Sequence, residues 1–197
     1  MTRKRPPPLP SIRSITVLGA TLSLILILGA CDPISIDGDP GDENTTVAEL
    51  IETIESAWDQ NSIESYTPLF TDEFTFYFDP TDGSTPNSWS LEDELTAAGG
   101  LFNTFTDEDV QLELIPPDDF TEPDDEATEL HLDQVAYFLV VDDGEDLWRA
   151  LGTADFDLVR RGERWLIDIW YDHGETALAG IHETSWGHIK YHLGLLR

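Results

Sequence analysis

The chain has a single cysteine, Cys31, in 197 residues. No intrachain disulfide is available, so the fold must be held by its apolar core. Six Trp, nine Phe and five Tyr supply the area for one. Forty acidic residues stand against ten Lys and Arg, a formal charge of −30 at pH 7. Nucleic acid is excluded as a partner, because phosphate binding needs clustered Lys and Arg. Acidity of this kind keeps a surface solvated. It also fits cation binding, a basic partner or adaptation to high salt.

Four basic residues, Arg3, Lys4, Arg5 and Arg13, precede an uncharged apolar run, Ile15–Ala30, that ends in Leu28-Gly29-Ala30. A positive start, a short apolar centre and small residues before a cut make an export signal. The run is shorter than the roughly 20 residues a spanning helix needs. With Cys31 immediately after it, the segment resembles the bacterial lipobox, in which the cysteine is diacylated and becomes the first mature residue. The resemblance implies a lipoprotein signal peptide at 1–30 and palmitate-type acylation of Cys31. It also implies a membrane as partner through that anchor, with the domain outside the cytoplasm at a bacterial cell envelope. Asp32 resembles an inner-membrane retention signal of enteric lipoproteins; the choice between inner and outer membrane stays open.

Residues 31–45 are the lipidated cysteine and a flexible acidic linker rich in Pro, Gly, Asp and Asn. Its DGDPGDE run lacks the ligand spacing and closing glutamate of a calcium loop. The domain occupies 46–197. Val47, Leu50, Ile51, Ile54 and Trp58 share one helical face, with Thr45 or Thr46 as cap. A short helix follows over Ile63–Phe70, then an aromatic strand, Phe74–Phe78. Ser90 caps a third helix, whose first-turn acids are Glu92, Asp93 and Glu94. Its inner face is Leu95, Ala98, Leu101 and Phe102, and Gly99-Gly100 weakens its end. The rest reads as strands at 110–114, 129–141, 147–160 and 165–172, with a mobile acidic proline loop over Pro116–Ala127. In the tail, Ile189, Leu193 and Leu196 suggest a segment folding back onto the sheet. Helices followed by long antiparallel strands make an α+β domain.

This order of elements is similar to the nuclear transport factor 2-like superfamily, also called SnoaL-like. The likeness rests on VAELIETIESAWDQNSIESYTPLFTDEFTFYFDP at 47–80 and on the closing hairpin FDLVRRGERWLIDIWYD at 156–172. It implies a cone in which helices pack on a curved antiparallel sheet around a central pocket. The superfamily includes cofactor-independent isomerases, dehydratases and cyclases as well as noncatalytic binding modules, so the fold does not give the function. Its exposed sheet face implies a homodimer.

Two functions fit these residues. The favoured one is a non-catalytic, lipid-anchored envelope module that holds an apolar small ligand or a protein partner. The alternative is a SnoaL-like isomerase, dehydratase or cyclase that needs no cofactor. Asp79 sits at the strand end where the ketosteroid isomerase branch places its base, although Asp79-Pro80-Thr81-Asp82-Gly83 is also an ordinary turn. Period-two counting puts Asp133 and Tyr137 on the same side as His131. It puts Asp168 with Leu166 and Trp170, opposite Trp165, Ile167, Ile169 and Tyr171. The candidate catalytic residues are therefore Asp79, His131, Tyr137 and Asp168. No metal site is expected: His188 and His192 are four apart on a helix face, but lack the glutamate and third ligand of a zinc motif.

Overall fold

The computed structural model describes residues 44–142, 144, 146–174 and 183–195. Cys31, the linker up to residue 43, and Leu196 lie outside the described residues. Helix α1 (Val47–Asp59) begins in a capping box: Thr46 Oγ1 accepts from Glu49 N–H, and the Glu49 carboxylate accepts from Thr46 N–H. The Pro116–Ala127 loop, read from sequence as mobile, sends Glu122 to this end. Its carboxylate accepts from the N–H groups of Val47 and Ala48 at 3.1 and 2.8 Å, a favourable place for an anion. Asn44 is 1% exposed, and its carbonyl accepts from Trp165 N–H.

Helix α2 (Ile63–Tyr66) runs into a 3-10 turn (Thr67–Leu69). There the helix read to Phe70 stops, and strand β1 (Phe70–Tyr77) starts earlier than expected. A short strand, β2 (Ser88–Ser90), pairs with it and leads into α3 (Leu91–Thr104), where the Asp93 carboxylate accepts from Ser90 N–H and Oγ–H. Four strands follow: β3 (Val110–Ile115), β4 (Glu129–Asp142), β5 (Leu147–Arg161) and β6 (Arg164–Gly174). The tail supplies β7 (Glu183–Thr184), α4 (Trp186–Ile189) and a π-helical turn, Lys190–Leu195.

The sheet order is β2-β1-β6-β5-β4-β3, antiparallel apart from β1 against β6, with β7 parallel to β5. Two outward N–H groups of edge strand β3 are paired. Leu112 N–H reaches Asp59 and Leu114 N–H reaches Glu55, both on α1, which blunts that edge.

Two bulges break the alternation of the long strands. On β4 the register passes from Leu132 opposite Phe156 to Val135 opposite Ala154, so two residues face one. Gln134 takes φ 55° there, and its N–H reaches Asp155 Oδ1. On β6 the register passes from Ile167 opposite Leu158 to Ile169 opposite Asp157, leaving Asp168 as the extra residue. Side-chain direction flips at each bulge. Tyr137 therefore points inward, away from His131, and Trp170 points inward with Trp165, away from Asp168.

The core lies between this inner face, α1, α3 and the tail. Trp58, Trp170 and Trp186 meet edge to face at 5.2 and 4.4 Å between ring centres. The tail docks through bare backbone. A Cβ on Gly100 would meet Gly194 O at 2.1 Å, and one on Gly194 would meet Ala97 O at 2.2 Å. Gly99-Gly100 read as a helix weakness; Gly100 is where the tail crosses α3.

Candidate functional site

The centre of the cone is filled. Lys190, from the tail, reaches Glu94 of α3 with both carboxylate oxygens at 2.9 and 2.8 Å, and both residues are fully buried. Tyr66 Oη–H donates to Glu94 Oε1 and Trp89 Nε1–H donates to Oε2. The ammonium lies 3.7 Å from the ring centre of Phe76 and 4.4 Å from that of Trp170. Burial pulls the Lys190 proton affinity down, opposed by the Glu94 charge. Glu94 read from sequence as a first-turn acid facing the helix dipole. Its spacing with Ala98 and Leu101 puts it on the inner face instead.

Beside this pair, Tyr137 Oη–H donates to Asp172 Oδ1 at 2.7 Å, and Gly187 N–H donates to Asp172 Oδ2 at 2.7 Å. Burial raises the Asp172 proton affinity against those bonds and the Lys190 charge. Burial, then the Asp172 charge, raises that of Tyr137 well above the usual phenol range. A phenol whose proton is committed to a buried carboxylate is a poor acid toward any outside molecule. Sequence reasoning missed Asp172, because its inward direction depends on the bulge at Asp168.

An open cavity of about 560 Å³ lies at the rim, where the ends of β1 and β6 meet the 79–87 connection. Tyr77, Phe78, Asp79, Pro80, Tyr171 and Asp172 are among its walls. Asp79 is 7% exposed. Its Oδ1 accepts from Thr81 N–H at 2.6 Å and Thr81 Oγ–H at 2.5 Å. Its Oδ2 has no hydrogen-bond partner among the described residues. Asp82, also in the wall, holds His188 Nδ1 at 2.9 Å and ties the tail to the rim. Ser84 Oγ lies 3.3 Å from His188 Nδ1 and 3.2 Å from His192 Nε2. Burial, then His188, lowers the proton affinity of His192.

Of the candidate residues, the structure brings Asp79 close enough to Tyr137 for its charge to act there. His131 and Asp168 lie elsewhere, along a shallow depression of the outer face with Asp157. Thr71 Oγ–H donates to Asp168 Oδ1 at 2.6 Å. His131 touches Asp157 through Nδ1 and Asp133 through Nε2, both at 2.5 Å. The Asp157 hydrogen bond is the main cause of its raised proton affinity. Ligand atoms of His131, Asp133 and Asp155 lie within 4.8 Å of one another, which makes them the group among the described residues that could hold a metal ion. His173 Nε2 contacts Asp155 at 2.9 Å.

Several solved structures share the architecture. A candidate scytalone dehydratase from Novosphingobium aromaticivorans superposes with a TM-score of 0.52 at 12% identity, over 66% of this chain and 82% of that one. A candidate aromatic ring hydroxylase from the same organism gives 0.51 at 13%, over 68% and 90%. A protein of unknown function from Mycobacterium tuberculosis gives 0.50 at 14%, over 68% and 72%. No family model matches the chain, and no curated protein matches it. At these identities the likeness speaks to fold alone. The fold is the α+β cone of the nuclear transport factor 2-like proteins, helices packed on a curved sheet.

Proposed function

We propose that this protein is a non-catalytic binding module, held at a bacterial cell envelope by lipid on Cys31, that keeps a small ligand in its rim cavity. One observation carries the reading. The interior of the cone, where a reacting molecule would have to be enclosed, holds Lys190, Glu94 and Trp side chains packed edge to face. The open space lies outside it, where the rings of Tyr77, Phe78 and Tyr171 stand beside the carboxylates of Asp79 and Asp82, and aromatic walls with placed polar groups suit retention of a ligand. Native mass spectrometry of the full chain, extracted from membranes of the cells that make it, tests this. A bound small molecule that is lost in Phe78→Ala supports the module; an unliganded chain in every preparation sinks it. The anchor has its own test. Cys31→Ser should leave the membrane fraction and lose acyl label, and retention of label would refute lipidation at Cys31. A homodimer through the outer sheet face belongs to the same proposal, and light scattering of the purified chain reads it directly.

A second reading is favoured by the free Oδ2 of Asp79 in the cavity wall. A carboxylate there can act as general base, and the fold likeness to a candidate scytalone dehydratase supports a cofactor-independent isomerase, dehydratase or cyclase. Turnover of a ligand recovered from the protein, abolished in Asp79→Asn while binding persists, would establish it over the first.

A further inference from the structure

The rim cavity is chemically lopsided. Three of its lining residues are aspartates, Asp79, Asp82 and Asp172, and no Lys or Arg is among the described lining residues. Two of these carboxylates are answered, Asp82 by His188 and Asp172 by Tyr137 and Gly187 N–H. Asp79 is not fully answered. It is more than nine-tenths buried, yet both hydrogen bonds it accepts fall on Oδ1. Oδ2 has no donor among the described residues and Asp79 lines the cavity, so a cation bearing N–H groups can make a charge-assisted hydrogen bond there.

The walls carry the second half of the argument. The Tyr77 and Tyr171 rings stack at 4.9 Å and 11° between planes. Phe78, Pro80 and Pro86 continue the apolar surface, and Tyr77 is 39% exposed. Aromatic faces attract ammonium groups, most strongly where water is thinned out. The chain already uses this chemistry on itself, where Lys190 sits between a glutamate and the faces of Phe76 and Trp170. A chain of net charge −30 also draws cations toward any cleft and repels anions.

We infer that the rim cavity takes a small organic ammonium ion, its charged nitrogen on Asp79 Oδ2 and its flat apolar body against Tyr77 and Phe78. This rests on the reading of the cavity as a binding site and names the ligand class. A volume of about 560 Å³ accommodates such a molecule.

Ligand-observed saturation-transfer NMR on the full chain, near physiological salt, tests it with three probes of one body: phenethylammonium, 2-phenylethanol and 3-phenylpropionate. The ammonium should bind saturably and about tenfold more tightly than the alcohol, with the carboxylate weakest. Asp79→Asn keeps the Oδ1 acceptor for Thr81. It should weaken the ammonium by about tenfold and leave the alcohol unchanged. Tyr77→Ala, at an exposed position, should weaken both. Equal binding of alcohol and ammonium, or ammonium binding unmoved by Asp79→Asn, overturns the cation assignment and leaves the binding site standing. No binding by any probe overturns both.

Discussion

The two faces of the β5–β6 sheet carry ionic networks built from the same kinds of side chain under opposite conditions. Inside, Glu94, Lys190 and Asp172 are shut away from water, and each contacts neighbours that match its charge. Outside, His131 stands between Asp133 and Asp157, and His173 against Asp155, with about half of each imidazole exposed. Distances on the two faces are alike; solvent access is not. An inner partner that is removed leaves a charge with nowhere to go, whereas an outer one is replaced by water.

The largest test of that contrast is inside. Glu94→Ala or Lys190→Ala should cost about 3–5 kcal/mol in urea unfolding, because each strands its partner's charge. The double variant Glu94→Gln with Lys190→Met should recover much of the loss, because it removes both charges and keeps an acceptor for Tyr66 Oη–H or Trp89 Nε1–H. A single loss no greater than that of Asp157→Ala would erase the distinction between the faces. Next comes the docking that keeps the inside closed. Gly→Ala at an exposed helix site is stabilising by about 0.5–1 kcal/mol. At Gly100 the sign should reverse, to a loss of about 1–3 kcal/mol, since the added carbon meets Gly194 backbone. An unchanged or raised melting temperature would mean that the tail does not sit there.

Asp172 sharpens the contrast through pH. Its folded proton affinity is raised by burial. Its contribution relative to Asp172→Asn is therefore most favourable below the unfolded carboxylate value and declines as pH rises through the raised folded one. Asparagine also cannot accept from both Tyr137 Oη–H and Gly187 N–H with the same geometry. A further loss of about 1–3 kcal/mol is expected at every pH. A variant whose stability tracks the parent across that window would place Asp172 in contact with water.

The bulges explain what sequence could not convey. The capped, amphipathic α1 and the 156–172 hairpin are legible, because each rests on spacing that local physics enforces. Facing is legible only while a strand keeps its period. Gln134, at φ 55°, carries no glycine to signal a bulge, so His131 and Tyr137 read as one pair although the sheet lies between them. Asp168 looked inward-facing between Leu166 and Trp170, yet it fills a bulge and bonds Thr71. Lys190 resembles the wet side of an amphipathic tail. The π-helical turn starting at that residue shifts the register, and an acid on α3, four positions from Ala98, was the one available clue to its partner.

The smallest effect belongs to His131, and it tests the outer face alone. Asp157 holds the His131 proton affinity above its usual value. A raised folded value means that the imidazolium contact adds stability in full below the unfolded histidine value, then loses it as pH climbs through the folded one. The stability difference between the parent chain and His131→Gln should be largest at mildly acid pH and fade above neutrality. With the imidazole half exposed, it should stay within the about 1 kcal/mol that exposed ion pairs reach. High salt should shrink it further, because solvent-exposed charges are screened. Glu94→Ala, beneath the same sheet, should be nearly blind to added salt. A His131 effect that ignored both pH and salt would mean that packing holds this face, and the contrast between the two networks would then rest on shape instead of charge.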